Sequence, residues 1–537
     1  MKKVLAIVLT CLLLMPLIAA TGAAAGSDEI VDGRFVETKK ITVEVYDRGL
    51  DGGKTTPENN FYTDYIKEGM LRDHNVEVTF IPVDRWNETE AINNLLAAGD
   101  APDVCVTYSY PTIQTYANMG GVLDMAPYLE EYKDLLPNLW GFLGEFNLYY
   151  DRDPESGTVW AIEAKLVNNA RTNTFVREDW LAKLGLAEPT TLEEFEAMLY
   201  AFKDNAELLL GEDADKMIPL AISYDVGWRI DHLVAAFVPD DLSDKDAYVQ
   251  GFDDRHLLYP GYKEAIRKVN EWYNAGLVWQ DFALYGAGDT TEINLEKSGF
   301  VGAFMHNWDL PYRDGPDGIH GGMKTVVGED AAFIAVESFP NDAGAYRKFL
   351  SNPIDRKVFF PATNKEPLAS MLYLDWITDI EHKTFLQIGE EGVTHEVLAD
   401  GAISIIAATN EKIINSQYNI DYTITSNGLD LGDVGLRMRS LGLGYGGVDA
   451  SYILNAFNAS IHEGRVFEHF SCGKIESEEG VDEMLKQKRD AFLAQAIVAK
   501  TEDFDKVFDE GMADYLTSGG QAIIDERAAA YAKYYGE

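Results

Sequence analysis

The chain has 537 residues, too many for one hydrophobic core, so two or more lobes are expected. It carries 45 basic against 89 acidic residues, a formal charge of −44. Such a field repels phosphate backbones and anionic membrane surfaces, which excludes nucleic acid as a partner.

The N-terminus reads MKK, then an apolar run over 4–20 holding Thr10 and Pro16, then TGAAAG. A basic start, a short apolar stretch and small residues at Ala23 and Ala25 predict a secretory signal peptide over 1–25, with the mature chain beginning near Gly26. Cys11 lies inside the run, after Thr10 and with no small residue before it, so a lipid anchor is not expected. No later stretch approaches the ~18 consecutive apolar residues of a membrane span. The expectation is a soluble, monomeric, extracytoplasmic protein, periplasmic or secreted. Two cysteines remain, Cys105 and Cys472, too few for a disulfide framework in an exported chain of this size. Cys105 reads as a small core hydrophobe in a strand.

Residues 26–40 are polar and small and read as a tether. Ile41, Val43 and Val45 alternate with polar residues, then YDRG breaks the strand. A helix over 61–70 leads to a second alternating strand at Val76, Val78 and Phe80, which ends at 82–85. A helix over 87–98 stops at Gly99-Asp100, and Pro102 forbids its continuation. Val104, Cys105 and Val106 form a short apolar run of the kind found in a fully buried strand. Thr107-Tyr108-Ser109-Tyr110 leaves that strand, and Pro111 opens the next helix. The order β-α-β-α-β-α predicts a parallel, doubly wound sheet whose three strand ends line one crevice.

Downstream, a short strand holds Trp160, and two helices over 175–205 follow, the second opened by a capping-box pattern at Thr191 and Glu194. A strand is expected over 218–224, a helix over 261–275 closed by Gly276, and a strand over 298–308 in which Gly302 allows close backbone approach. Leu368, Met371, Leu372 and Ile377 make a core stripe on a helix. From 478 to 535 the chain is helical and highly charged, broken at Ser518-Gly519-Gly520. No GxGxxG, HExxH, GxSxG or CxxC occurs, so no nucleotide, metal or other cofactor is expected.

Seven phrases in order carry a likeness: YDRG (46–49), LLAAGDAPDVCVTYS (95–109), GGVLD (120–124), SGTVWAI (156–162), REDWLAKLGLAEPTTLEEFEAMLYAFK (177–203), WYNAGLV (272–278) and LYLDWITDIEHKTFLQIGEEGV (372–393). Through them the chain resembles the family-1 extracellular solute-binding proteins of bacterial ABC importers, which take up oligosaccharides and peptides. The resemblance implies an α/β, two-lobed periplasmic-binding-protein-like fold, with discontinuous lobes joined by a hinge and ligand held between them. It also implies delivery to a membrane permease. The corresponding division is 41–153 for the N-terminal part of the first lobe, 154–292 for the second, 293–360 for a return to the first, and 361–537 for the second-lobe remainder and C-terminal helices. Some similar proteins carry a calcium loop where this chain has DNAELLLGEDADKMIP (204–219). Asp213 and Asp215 are present, but the regular Asp/Asn spacing with a central Gly and closing Glu is not.

Sugar recognition needs aromatic faces against C–H surfaces, with planar hydrogen-bonding groups beside them. Trp140, Trp180, Trp272 and Trp376 lie in helical patterns and read as core. The candidate ligand contacts are Arg48 and Arg85 at strand ends, Tyr108 and Ser109 beyond the third strand, and Trp228 and Trp308 after later strands. For the two arginines, local ion pairs with neighbouring aspartates are the competing reading. Two other functions stay open on sequence alone: a peptide receptor of the same fold, and a secreted glycoside hydrolase built on two of the 89 acidic residues.

Overall fold

A computed structural model of the chain describes residues 29–48, 55–286, 289–406, 419–446 and 448–536. The signal peptide, the first residues of the tether and the glycine-bearing loop at 49–54 lie outside the described residues.

The strand Lys39–Asp47 alternates buried and exposed positions at its start and buries its last turn of residues before Asp47. The helix Phe61–His74 begins at Asn60, whose side chain accepts from the Tyr62 and Thr63 amides while Thr63 returns a bond to the cap. It ends at Asn75 in the left-handed conformation (φ 59°), a residue type that tolerates it. Val76–Asp84 then pairs in parallel with the first strand over nine residues. The helix Glu88–Ala98 stops at Gly99 (φ 74°), and Val104 bridges Val43 in parallel. Asp47, Asp84 and Thr107 therefore end on one edge of one sheet, as the strand pattern predicts. Cys105–Thr107 pairs antiparallel with Lys357–Phe359, which pairs antiparallel with Ile162–Glu163 and completes the sheet.

The tether is more ordered than its composition suggests. Ile30–Val31 and Arg34–Phe35 pair antiparallel, and Phe35 is buried in the first core.

The second lobe is built on a sheet ordered Phe333–Val336, Thr172–Arg177, Val301–Asn307, Ile218–Ala221. Every residue of Thr172–Arg177 is buried. Gly302 is needed there, because a Cβ would sit 2.6 Å from Phe202 and 2.8 Å from Trp180.

This topology corrects the expected lobe division in two places. The strand Val301–Asn307 pairs with Thr172–Arg177 and Ile218–Ala221, so the chain stays in the second lobe past residue 293 and returns only at Lys357–Phe359. The helix Pro367–Thr378 and residues 419–427 then belong to the first lobe, whose core takes Leu368, Tyr373, Trp376 and Tyr422. Only the stretch from Val434 onward rejoins the second. The helix Pro367–Thr378 is buried all round from Leu368 onward, where a single stripe is predicted. Such a helix runs through a core and does not cap one.

Two large hydrophobic cores result, one per lobe, with two smaller clusters around Cys105 and Phe359 and around Ile388 and Ile403. Trp180, Trp272 and Trp376 are core residues and Trp140 packs against the first core. The chain passes between lobes three times, and the three connecting segments bind one another. Ser426–Asn427 pairs in parallel with Lys165–Leu166. The Leu166 amide donates to Pro353, and the Ser351 amide donates to Asn169. No helix among the described residues is long and apolar enough to cross a membrane.

Candidate ligand-binding cleft

On the first lobe, the strand ends carry a packed group of rings and cations. Tyr46 and Tyr108 stack at 6.4 Å between centroids. The Arg85 guanidinium lies over both, 5.3 Å from Tyr46 and 4.3 Å from Tyr108, and 5.8 Å from Trp86. These are cation–π distances. Trp86 is 69% exposed on the turn that follows Val76–Asp84, and Asp84 caps that turn through the Trp86 amide.

Arg48 makes a two-pronged pair with Asp421 at 2.7 and 2.9 Å. Burial works against its charge, but Asp421 outweighs that and raises its pKa above the usual value. The ion pair is thus real, though its partner is 373 residues away and not the adjacent Asp47. Ser109 spends its hydroxyl on the next helix, accepting from the Thr112 amide and hydroxyl.

Beneath the rings, Glu44 accepts from the Val106 amide and Glu88 from the Tyr108 amide. One oxygen of each is buried without a partner. Burial, with Glu88 adding to it, lifts the Glu44 carboxyl to about 8 despite the Val106 bond.

On the second lobe, Trp228 follows Ile218–Ala221 and is half-buried. Its indole N–H donates to Asn307 at 2.9 Å. The guanidinium groups of Arg171 and Arg255 lie 4.5 and 5.2 Å from its ring. Both cations are themselves held, Arg171 by Asp231 and Arg255 by Asp225. Trp308 ends Val301–Asn307. It is only 7% exposed and packs edge-on against Phe457 in the second core.

The two walls meet across two cavities. One, of about 650 Å³, is lined by Tyr110, Asp151 and Trp160 of the first lobe and by Arg171, His256 and Tyr259 of the second. The other, of about 800 Å³, is lined by Ile420 and Leu429 of the first lobe and by Trp308, Arg313, Arg437 and Tyr445 of the second. Leu166, on a connecting segment, borders both. Arg171 lies against Trp228, and Ile420 precedes Asp421, the partner of Arg48. Both predicted clusters therefore adjoin the interlobe space, while Arg48, Arg85, Tyr108, Ser109 and Trp228 line neither cavity directly.

Strand-end logic reaches Arg85 but passes over Trp86 beside it, the most exposed indole among the described residues. Trp160, Arg437 and Tyr445 carry no local signal beyond residue type, because a helix or loop position says nothing of what faces it across a cleft.

Other expected features resolve locally. Asp213 pairs with Lys216 on a tight turn. Cys105 and Cys472 are both free and buried. Asp151 and Glu163 are buried neighbours, and Lys357 pairs with Glu163 at 3.1 Å. Burial raises both carboxyls, and the Asp151 charge pushes Glu163 further, well above the carboxylate range.

Residues 66–380 match the family model described as bacterial extracellular solute-binding protein. Lipoprotein LipO of Bacillus subtilis (strain 168) is 22% identical over 349 residues, which is 63% of this chain and 65% of that protein's length. Among solved structures, the S. pneumoniae ABC-transporter substrate binding protein FusA in complex with kestose superposes with a TM-score of 0.60 at 15% identity, covering 92% of this chain and 99% of that one. An HMO-binding, ABC-transporter-associated solute binding protein from Bifidobacterium longum infantis gives 0.58 at 16% identity, covering 93% and 100%. The alginate-binding protein AlgQ2, solved without calcium ion, gives 0.56 at 16% identity, covering 92% and 98%. At these identities the likeness is one of fold.

Proposed function

The chain belongs to the bacterial extracellular solute-binding proteins, and from that premise we propose that it binds an oligosaccharide between its lobes and hands it intact to an ABC importer. The observation that carries this reading is the composition of the interlobe walls. Rings line the two cavities from both lobes, Tyr110 and Trp160 from the first and Tyr259, Trp308 and Tyr445 from the second, and guanidinium groups fixed by carboxylates, Arg171 and Arg313, stand beside them. Flat apolar faces with oriented hydrogen-bond donors suit a pyranose, whose two faces are C–H and whose rim is hydroxyl. The sugars bound by FusA and by the B. longum protein support the same ligand class.

The protein acts as a receptor and not as a hydrolase. The buried carboxyls Asp151 and Glu163 beside the first cavity both belong to the first lobe and do not face each other across the ligand space, as carboxyls flanking a glycosidic bond would. Three short connecting segments with the ligand space beside them are the arrangement that hinge closure needs. The protein works as a monomer beside its permease. Release outside the cytoplasm without a lipid anchor rests on Cys11 lacking a small residue before it, although the relative LipO is named a lipoprotein.

Native mass spectrometry of freshly purified protein tests the ligand class. A retained mass matching a hexose or pentose oligomer, unchanged after long incubation, is the expected result. A retained peptide, or steady release of shorter sugars, overturns it.

A further inference from the structure

The arginines that reach the interlobe space are, with two exceptions, tied to carboxylates. Arg48 pairs with Asp421, Arg171 with Asp231, Arg255 with Asp225, Arg313 with Asp309 and Arg527 with Glu478. Among the described residues, Arg85 and Arg437 have no carboxylate within ion-pairing distance. In a chain with 89 acidic residues against 45 basic ones, a partner was easy to supply, so its absence is informative.

Arg437 is the more telling of the two, because it lines the 800 Å³ cavity. It stands on the helix Val434–Gly444, and its Nη1 donates to the Val167 carbonyl at 3.2 Å. Its guanidinium lies 5.4 Å from the Phe457 ring, and its Nε is buried with no hydrogen-bond partner. Burial lowers its pKa, and the one carboxylate that acts against this, Asp430, does so from beyond pairing distance. A guanidinium kept partly out of water without an anion carries a desolvation cost that an incoming anion would offset. The same cavity presents Trp308 and Leu429, the amides Asn168 and Asn427, and the acids Asp309 and Asp314. Asp309 is committed to Arg313 and to the Tyr445 hydroxyl, and Asp314 acts on Arg313, so Arg437 is the cation of this wall without a carboxylate of its own.

We propose that the ligand is an anionic oligosaccharide, and that its carboxylate or sulfate group pairs with Arg437 in this cavity. The inference rests on the receptor reading above. It adds the charge of the sugar. Arg85, cradled by Tyr46 and Tyr108 at the first-lobe edge with its own Nε unpartnered, supplies a second cation for the same ligand as the lobes approach. A guanidinium meets a carboxylate or sulfate through parallel N–H donors, which gives direction as well as charge.

The test is calorimetric titration of the full mature chain with size-matched probes. The neutral probes are galactotriose, cellotriose and xylotriose. The anionic probes are trigalacturonate, a glucuronate-substituted xylotriose and a sulfated chondroitin disaccharide. At least one anionic probe should bind about 30-fold or more tighter than its neutral counterpart, the discrimination a charge-assisted bidentate pair supports. Arg437→Gln should remove most of that preference, and Arg437→Lys should retain part of it. The wild-type comparison stands even if a variant fails to fold. Neutral probes binding as tightly as anionic ones, or an anion preference unaltered in Arg437→Gln, overturns this inference and leaves the receptor reading in place. Binding of no saccharide of either kind overturns both.

Discussion

The candidate ligand residues differ in how deeply they are set, and that difference separates their expected effects. Trp228 is half-buried, between two arginines that are held from elsewhere. Trp228→Ala should cost about 1 kcal/mol or less of stability while weakening ligand binding at least tenfold. Trp308 is 7% exposed and part of the second core, so Trp308→Ala should lower both, with a stability loss of about 3–5 kcal/mol. Thermal melts without ligand, set beside calorimetric affinities, separate the two. A Trp228 variant that loses stability with its affinity intact would return that residue to the core. Glu44 makes a prediction in pH. Burial raises its carboxyl from 4.5 to about 8, so the folded state keeps a proton that the unfolded state has already released. Its contribution is full below pH 4.5 and is lost as pH rises to 8, on the order of 5 kcal/mol in all. Glu44→Gln keeps an acceptor for Val106 and has nothing to ionise. It should flatten the fall of melting temperature between those pH values, and equal slopes for both proteins would contradict the assignment.

Among the elements, what was legible in the sequence is what depends on neighbours along the chain. Alternation at Ile41, Val43 and Val45, the stop at Gly99-Asp100 and the buried run at Val104 lead to three strands with their ends on one edge, and the structure has them there. Gly302 was readable too, since a glycine within an apolar strand implies close approach. Gly302→Ala would press a methyl against Phe202, Trp180 and the Pro219 carbonyl, and should destabilise by about 1–3 kcal/mol as overpacking. Denaturant melts check it, and a variant as stable as the parent would mean that the second sheet yields more than its packing indicates. What was not legible is pairing at long range. Val301–Asn307 has the same apolar texture whichever sheet receives it, and only its five-residue register with Thr172–Arg177 assigns it to the second lobe. The site suffered likewise. Arg48 sits beside Asp47 in the chain, but its partner is Asp421, and nothing near residue 48 announces that. Arg437 has the texture of a solvated helix residue until the cavity beside it is seen.

For the whole molecule, two independent cores joined by three mutually bonded segments define how it can move. Each core holds its own sheet, so the lobes move as bodies, and the short contacts of Leu166 with Pro353 and Ser351 with Asn169 leave little besides rotation about the connection. A ligand that bridges both walls favours the closed arrangement by the difference in its affinity for the two states. The charge of −44 keeps such molecules apart in solution. Small-angle scattering, with and without the saccharide that the protein retains, tests closure most directly. At 100 times the dissociation constant the ligand should add about 2.7 kcal/mol of stability, which certifies occupancy in the same samples. The radius of gyration should then fall measurably while the ligand is recovered intact. An unchanged radius at proven saturation, or a saccharide cleaved during the measurement, would contradict the account.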